Sequence, residues 1–243
     1  MHFQLKHFNI VKYISLMLTQ RPYTTVVLAM SADGKIADKT RSPARFGSAA
    51  DKIHLERIVA SADAVLFGKA TLEAYGTTLP ITSAELLQQR QLQGKPPQPL
   101  QIVCSASGHI SPKLKFFQQP VPHGLLTTIS GQQQNIAAFE HIIIVPTLNG
   151  IFDWNNAFLQ LTQLGIQRIA VLGGGELVGS LIQENLIDEF WLTICPLILG
   201  GSDAPTPVAG VGFLAAVAPR LQLLEVQQIQ QEIFLHYRVL SSL

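Results

Sequence analysis

The sequence predicts an α/β fold: a mixed, mostly parallel sheet with helices on both faces and an antiparallel hairpin near the C-terminal end. Three observations predict it. Through the first two thirds of the chain, short β-branched apolar runs alternate with amphipathic stretches, the rhythm of strand, helix, strand. A Gly173-Gly174-Gly175 run joins one apolar run directly to a helical pattern. In the last third the strand-like runs follow one another across short turns, and Ile233, Leu235, Tyr237 and Val239 alternate as a half-buried strand requires.

The elements follow in order. Residues 23–30, apolar and β-branched between Pro22 and Asp33-Gly34, read as the first strand. A polar, basic loop over 31–47 leads to Ser48 and Asp51, which form a capping box for a helix with Leu55, Ile58, Val59 and Ala62 on one face. Residues 63–67 form a second strand ending at Gly68, and 71–75 open a helix behind it. The stretch 88–99, rich in Gln, Lys, Gly and Pro, reads as an exposed connection. Strands are expected at 100–104, 125–128 and 141–145. Asp153 caps a helix carrying Trp154, Phe158 and Leu161, which ends at Gly165. Residues 168–172 form the strand before the glycine run, and the helix after it carries Leu177, Leu181 and Ile182. Strands at 189–195, 221–228 and 232–240 close the sheet.

With 243 residues, 47% of them hydrophobic, the chain can bury a full core, and we expect one domain over 21–243 behind a flexible leader at 1–20. The leader has a basic stretch and a short apolar piece at 13–18, too brief for a secretion signal and without a small-residue cleavage site. The apolar run at 208–218 is too short to span a bilayer. Seventeen Lys and Arg against sixteen Asp and Glu leave a net charge of +1, which argues against a nucleic-acid or membrane partner. A charged ligand must be held by a few local cations. Cys104 and Cys195 lie in separate strand-like runs, so they read as reduced core thiols of a cytoplasmic protein. Neither the cysteines nor the seven histidines show metal-ligand spacing, and no metal site is expected.

The glycine run carries the most chemistry. Without Cβ atoms, backbone N–H groups at the positive end of a helix can approach a pyrophosphate, although the run also reads as a tight turn needing positive φ. Its spacing, Gly173-x-Gly175-x-x-x-Gly179, does not match the Rossmann fingerprint, and no Walker lysine follows. Ser31, Asp33, Lys35, Arg45 and Ser48 cluster after the first strand, where open α/β sheets place their ligand crevice. Lys35 and Arg45 could hold a phosphate and Asp33 could relay a proton; equally, Asp33-Gly34 is a turn with solvated cations beside it. Gly68 with Thr71, and Ser105 with Ser107, read either as ligand contacts or as cap and turn residues. His54 reads as a partly exposed helix residue, and Trp154 and Trp191 as core.

Three blocks resemble one family. They are Arg21-Pro22-Tyr23 through Met30-Ser31-Ala32-Asp33-Gly34-Lys35-Ile36-Ala37; Ala62 to Gly68 with Thr71; and Leu172-Gly173-Gly174-Gly175-Glu176-Leu177 through Leu186-Ile187-Asp188-Glu189 to Pro196-Leu197-Ile198-Leu199-Gly200-Gly201. In that order, they resemble the riboflavin-biosynthesis pyrimidine reductases. The resemblance implies a dihydrofolate-reductase-like three-layer sandwich that uses NADPH to reduce the ribosyl group of 5-amino-6-(5-phosphoribosylamino)uracil to ribityl. Members often carry a fused zinc deaminase domain. Its signature is missing here, so a stand-alone, homodimeric reductase is expected.

By the same resemblance, Gly173, Gly174, Gly175, Glu176 and Leu177 would contact the cofactor diphosphate, with Gly68 and Thr71 nearby and Ser105 toward the adenosine 2′-phosphate. Ser31, Arg45 and Ser48 would bind substrate, and Asp33 and Lys35 would serve catalysis. Gly173 stands where members of the family often carry an acidic residue. That departure leaves two alternatives: a reductase of this fold for another heterocycle, and a catalytically silent nucleotide-binding protein.

Overall fold

The computed structural model describes residues 21–133, 136–148 and 150–240; the leader expected at 1–20 lies outside the described residues. The first strand, β1 (Tyr23–Ser31), sits in the middle of a sheet whose other strands join on both sides. Toward one edge run β8 (Arg168–Val171), β2 (Ala64–Gly68), β3 (Leu100–Cys104), β4 (His123–Thr127) and β5 (His141–Ile144), all parallel. On the other side β9 (Glu189–Cys195) is parallel to β1, with Thr25 opposite Glu189 and Ser31 opposite Cys195. Then β11 (Glu232–Leu240) and β10 (Arg220–Ile229) add antiparallel, as the alternating pattern predicted. A small ribbon of β6 (Thr147–Leu148) and β7 (Ile151–Phe152) stands apart.

Alternation along the central strands sends side chains to two cores. Val26, Leu28, Leu66, Ile102, Ile169 and Val171 meet α4 (Trp154–Gln163) and α5 (Gly175–Gln183) on one face. Val65, Phe67, Val103, Leu125 and Ala170 meet α1 (Ala49–Ser61) and α2 (Lys69–Tyr75) on the other. A parallel sheet covered on both sides needs apolar residues at every position, which is why these strands read as unbroken apolar runs. The result is the expected three-layer arrangement.

Two local expectations need correction. Residues 88–99 are not a plain connection, because α3 (Ala84–Leu92) runs into them. Its polar surface hides one anchor: Arg90 is 1% exposed and donates to the carbonyls of Pro96, Ala60 and Ala62 at 2.6–2.8 Å. The capping box at α1 is also only half as drawn. Ser48 Oγ accepts from the amides of Ala50 and Asp51, but the reciprocal carboxylate on the Ser48 amide belongs to Glu232, at 2.8 Å, across 184 positions of sequence.

Candidate active site

The carboxyl ends of β1, β2 and β8 open into a cavity of about 620 Å³ that reaches both faces of the sheet. Its shape follows from how the surrounding helices begin. Among the described α-helices, α1, α3 and α4 start with a side chain accepting from their first-turn amides: Ser48, Ser83 and Asp153. The other two, α2 and α5, start with Gly68 and Gly174, which have no side chain to cap with. Both uncapped ends line the cavity and they touch, with the Gly68 amide donating to the Gly173 carbonyl at 3.0 Å. Two helix N-termini with unsatisfied N–H groups and positive partial charge form an anion cradle made of main chain.

The three glycines have different jobs. Gly173 has φ of +116°, a conformation that strains any side chain. Gly174 faces Thr71, whose Oγ1 a Cβ would meet at 3.3 Å. Gly175 is bare for another reason: a Cβ there would lie 2.3 Å from the Thr206 carbonyl. Gly179, one turn on, would press on the Ala209 carbonyl in the same way. The loop after β9 therefore lies directly against α5, held by the Ala209 amide donating to the Gly175 carbonyl.

Of the residues singled out from sequence, Gly68, Thr71, Gly173, Gly174, Gly175, Glu176 and Leu177 line this cavity together. Ser31, Asp33, Lys35, Arg45, Ser48 and Ser105 do not. Ser31 is fully buried; its hydroxyl donates to Asp33 at 2.6 Å and accepts from the Lys35 amide. Asp33 also accepts from the amides of Leu199 and Gly200, and these bonds, led by Ser31, hold its carboxyl down at about 2. Its carboxylate pins the 197–200 loop and lies outside the cavity lining. Lys35 Nζ reaches the Ala204 carbonyl at 3.4 Å, so it too ties the β1 loop to the 196–209 loop. Ser48 is the α1 cap, Arg45 is exposed, and Ser105 is buried at the end of β3 beside Ser107, at 3.4 Å.

Other side chains stand in their place. Arg41 and Lys69 bring positive charge to the cavity wall, Arg41 from a residue with φ of +59° and Lys69 from the first position of α2. Tyr75 lines the wall and donates to the Ala44 carbonyl at 2.9 Å, fastening the 41–46 loop to α2. Asp51, half-buried in the first turn of α1, presents a carboxyl. Sequence reasoning assigned Asp51 to capping and passed over the others; the signal available was a polar, basic loop whose conformation no pattern specifies.

His54 lies outside the cavity lining. Edge-on to Trp191 at 4.5 Å and to Phe234 at 5.3 Å, it is held neutral by burial, with Arg57 and His236 adding to the effect, so that its pKa falls to about 4. Trp154 is core, as expected, whereas Trp191 is half-buried and stacks on His236 at 4.0 Å. Among the described residues, no cluster of three or more His, Cys, Asp or Glu side chains could hold a metal ion, and no helix is long and apolar enough to cross a membrane.

Comparison with known proteins bears on this geometry. The family model described as the RibD C-terminal domain matches residues 22–235. The chain belongs to that family. Within the RibD C-terminal domain family, it is 31% identical over 195 residues to the 2,5-diamino-6-ribosylamino-4(3H)-pyrimidinone 5′-phosphate reductase of Archaeoglobus fulgidus, covering 80% of this chain and 89% of the relative. It is 28% identical to the riboflavin biosynthesis protein RibD of Escherichia coli over 92% of this chain, yet spans only 62% of that longer protein. A pyrimidine reductase-like protein of Corynebacterium diphtheriae has the same fold, with a TM-score of 0.76 at 20% identity over 93% of this chain and 95% of the other.

Proposed function

We propose that the chain reduces the ribosyl side chain of a phosphoribosylaminopyrimidine in riboflavin biosynthesis, using NADPH. The observation that carries this reading is the pair of uncapped helix ends meeting at Gly68 and Gly174 on one cavity wall. The residues present fit a dinucleotide. A bare main-chain cradle suits a diphosphate, and a Cβ at position 174 would crowd the contact with Thr71. When bound, the reduced nicotinamide supplies a hydride. Lys69, at the start of α2, supports the 2′-phosphate that distinguishes NADPH, and Arg41 supports the substrate phosphate. The 41–46 loop, fastened through Tyr75, closes over the pyrimidine and excludes water.

Two pyrimidines fit this description, differing at C2. The deaminated substrate carries an oxo group; the substrate named for the Archaeoglobus relative carries an amino group. A spectrophotometric assay of NADPH oxidation with each decides between them, and oxidation with neither sinks the reading. Replacing Lys69 with Ala should raise the KM for NADPH about tenfold, the equivalent of one charge-assisted hydrogen bond, and leave that for NADH unchanged.

A homodimer completes the proposal. On β10, Leu221, Leu223 and Val226 are 43–55% exposed on the face shared with Leu235 and Tyr237, and in the connection leading to β10, Leu214 and Val217 are exposed as well. An apolar sheet face of this extent is the kind that a second copy covers. Sedimentation velocity at micromolar concentration reads the assembly directly.

A further inference from the structure

We propose that Asp51 is the acid of the reduction, delivering its carboxyl proton to the substrate nitrogen that becomes an amine. This rests on the reading above; Asp51 lines the cavity and Asp33 does not. The geometry comes first. Asp51 projects from the first turn of α1 into the same cavity as the glycine cradle. Thr193 of β9, 2% exposed, lies beside Asp51. Behind it lies a second carboxylate, Glu232, 4% exposed on β11. Glu232 is fixed by the Ser48 amide and hydroxyl, at 2.8 and 2.5 Å, and by the Cys195 thiol at 3.6 Å.

Two carboxyls at one buried place favour keeping a proton on one of them. Glu232 receives three hydrogen-bond donors, whereas Asp51 faces the cavity. Burial first, then the Glu232 charge, raises its pKa, with the neighbouring Thr193 hydroxyl opposing. The other groups facing it are the Cys195 thiol on β9 and the Tyr75 hydroxyl on α2, both pushed upward and therefore neutral at pH 7, with Arg41 across the cavity.

The chemistry balances. Opening of the ribosylamine ring leaves a C1′=N double bond. As C1′ gains the hydride, a C–H bond forms and the π pair moves to nitrogen, which takes the Asp51 proton. The sugar carbon is reduced, the nicotinamide is oxidised, and the Asp51 carboxylate recovers its proton from water. General acids of this kind contribute about 10²–10⁴-fold.

The test combines turnover with a direct titration. Asp51→Asn should lower kcat at least about 10²-fold while the affinity for NADPH, read by fluorescence, stays the same. Wild-type kcat should fall as pH rises through the Asp51 pKa. Glu232→Gln removes the charge that raises that pKa, so this falling limb should move to lower pH. Carbon-13 NMR of the carboxyls should show one aspartate titrating above its usual range, absent in Asp51→Asn and shifted down in Glu232→Gln. A wild-type chain that turns over neither pyrimidine removes the substrate assignment and this proposal together. A wild-type chain that turns over, while Asp51→Asn keeps its rate and pH profile, removes the acid alone. Should Asp51→Asn not fold, an unmoved limb and carboxyl resonance in Glu232→Gln overturn it.

Discussion

The two ends of the sheet use the same apolar alternation and come to different fates. Between β1 and β5 both faces are covered by helices, and Val26, Val65, Leu66, Ile102 and Leu125 are fully buried. Beyond β9 the cover thins: His54 of α1 meets Trp191 and Phe234 on one face, Tyr237 and Val239 pack only partly against the core on the other, and β10 is exposed from Arg220 to Gln228. The opposite face of β10 leaves Leu223 and Val226 half exposed. An alternating strand states that it has an apolar side; it does not state what will cover that side. The cavity occupies the covered end, where rigid packing holds the two glycine-capped helices in place.

Four measurements sharpen or break that contrast. Phe158→Ala, at a position 1% exposed on α4, should cost about 3–5 kcal/mol in urea unfolding. Gly179→Ala places a methyl against the Ala209 carbonyl; displacing the loop over α5 should cost about 1–3 kcal/mol and weaken NADPH binding in a fluorescence titration. His54→Gln tests the half-covered end through pH. With a folded pKa near 4 against an ordinary 6.5, wild-type stability is full above pH 6.5 and declines as pH falls toward 4, because only the unfolded chain takes up the proton. The variant should lose that part of the decline in a pH series of denaturation curves. Leu223→Ala should change the stability of the isolated chain by less than about 0.5 kcal/mol while weakening self-association in sedimentation. A loss there as large as that at Phe158 would mean that the bare face is bare in name only.

Strand positions were legible at both ends of the sheet. The bounds of β3, β9 and β11 coincide with their apolar runs, because strands flanked by turn residues leave little freedom in register. The α3 helix was not legible, since its anchor is one guanidinium reaching three carbonyls and not an apolar stripe. The site divided along the same line. Gly68, Thr71 and residues 173–177 were named by the family resemblance and line one cavity, whereas the glycine run alone read equally as a tight turn. The opposite wall could not be picked out, because Arg41 and Tyr75 reach the cavity through loop conformations that carry no period. Nor could the Asp51–Glu232 pair, which joins residues 181 positions apart through antiparallel pairing at the far end of the sheet.

The two cysteines have a practical consequence. Burial pushes the thiols of Cys104 and Cys195 up to about 12, leaving on the order of one molecule in 10⁵ ionised at neutral pH. Alkylating reagents and dissolved oxygen find almost nothing to react with in the folded chain. The native protein is therefore a clean background for spectroscopy: one cysteine introduced at an exposed position of the 41–46 loop would take a fluorophore alone, and its emission would report when that loop moves over a ligand.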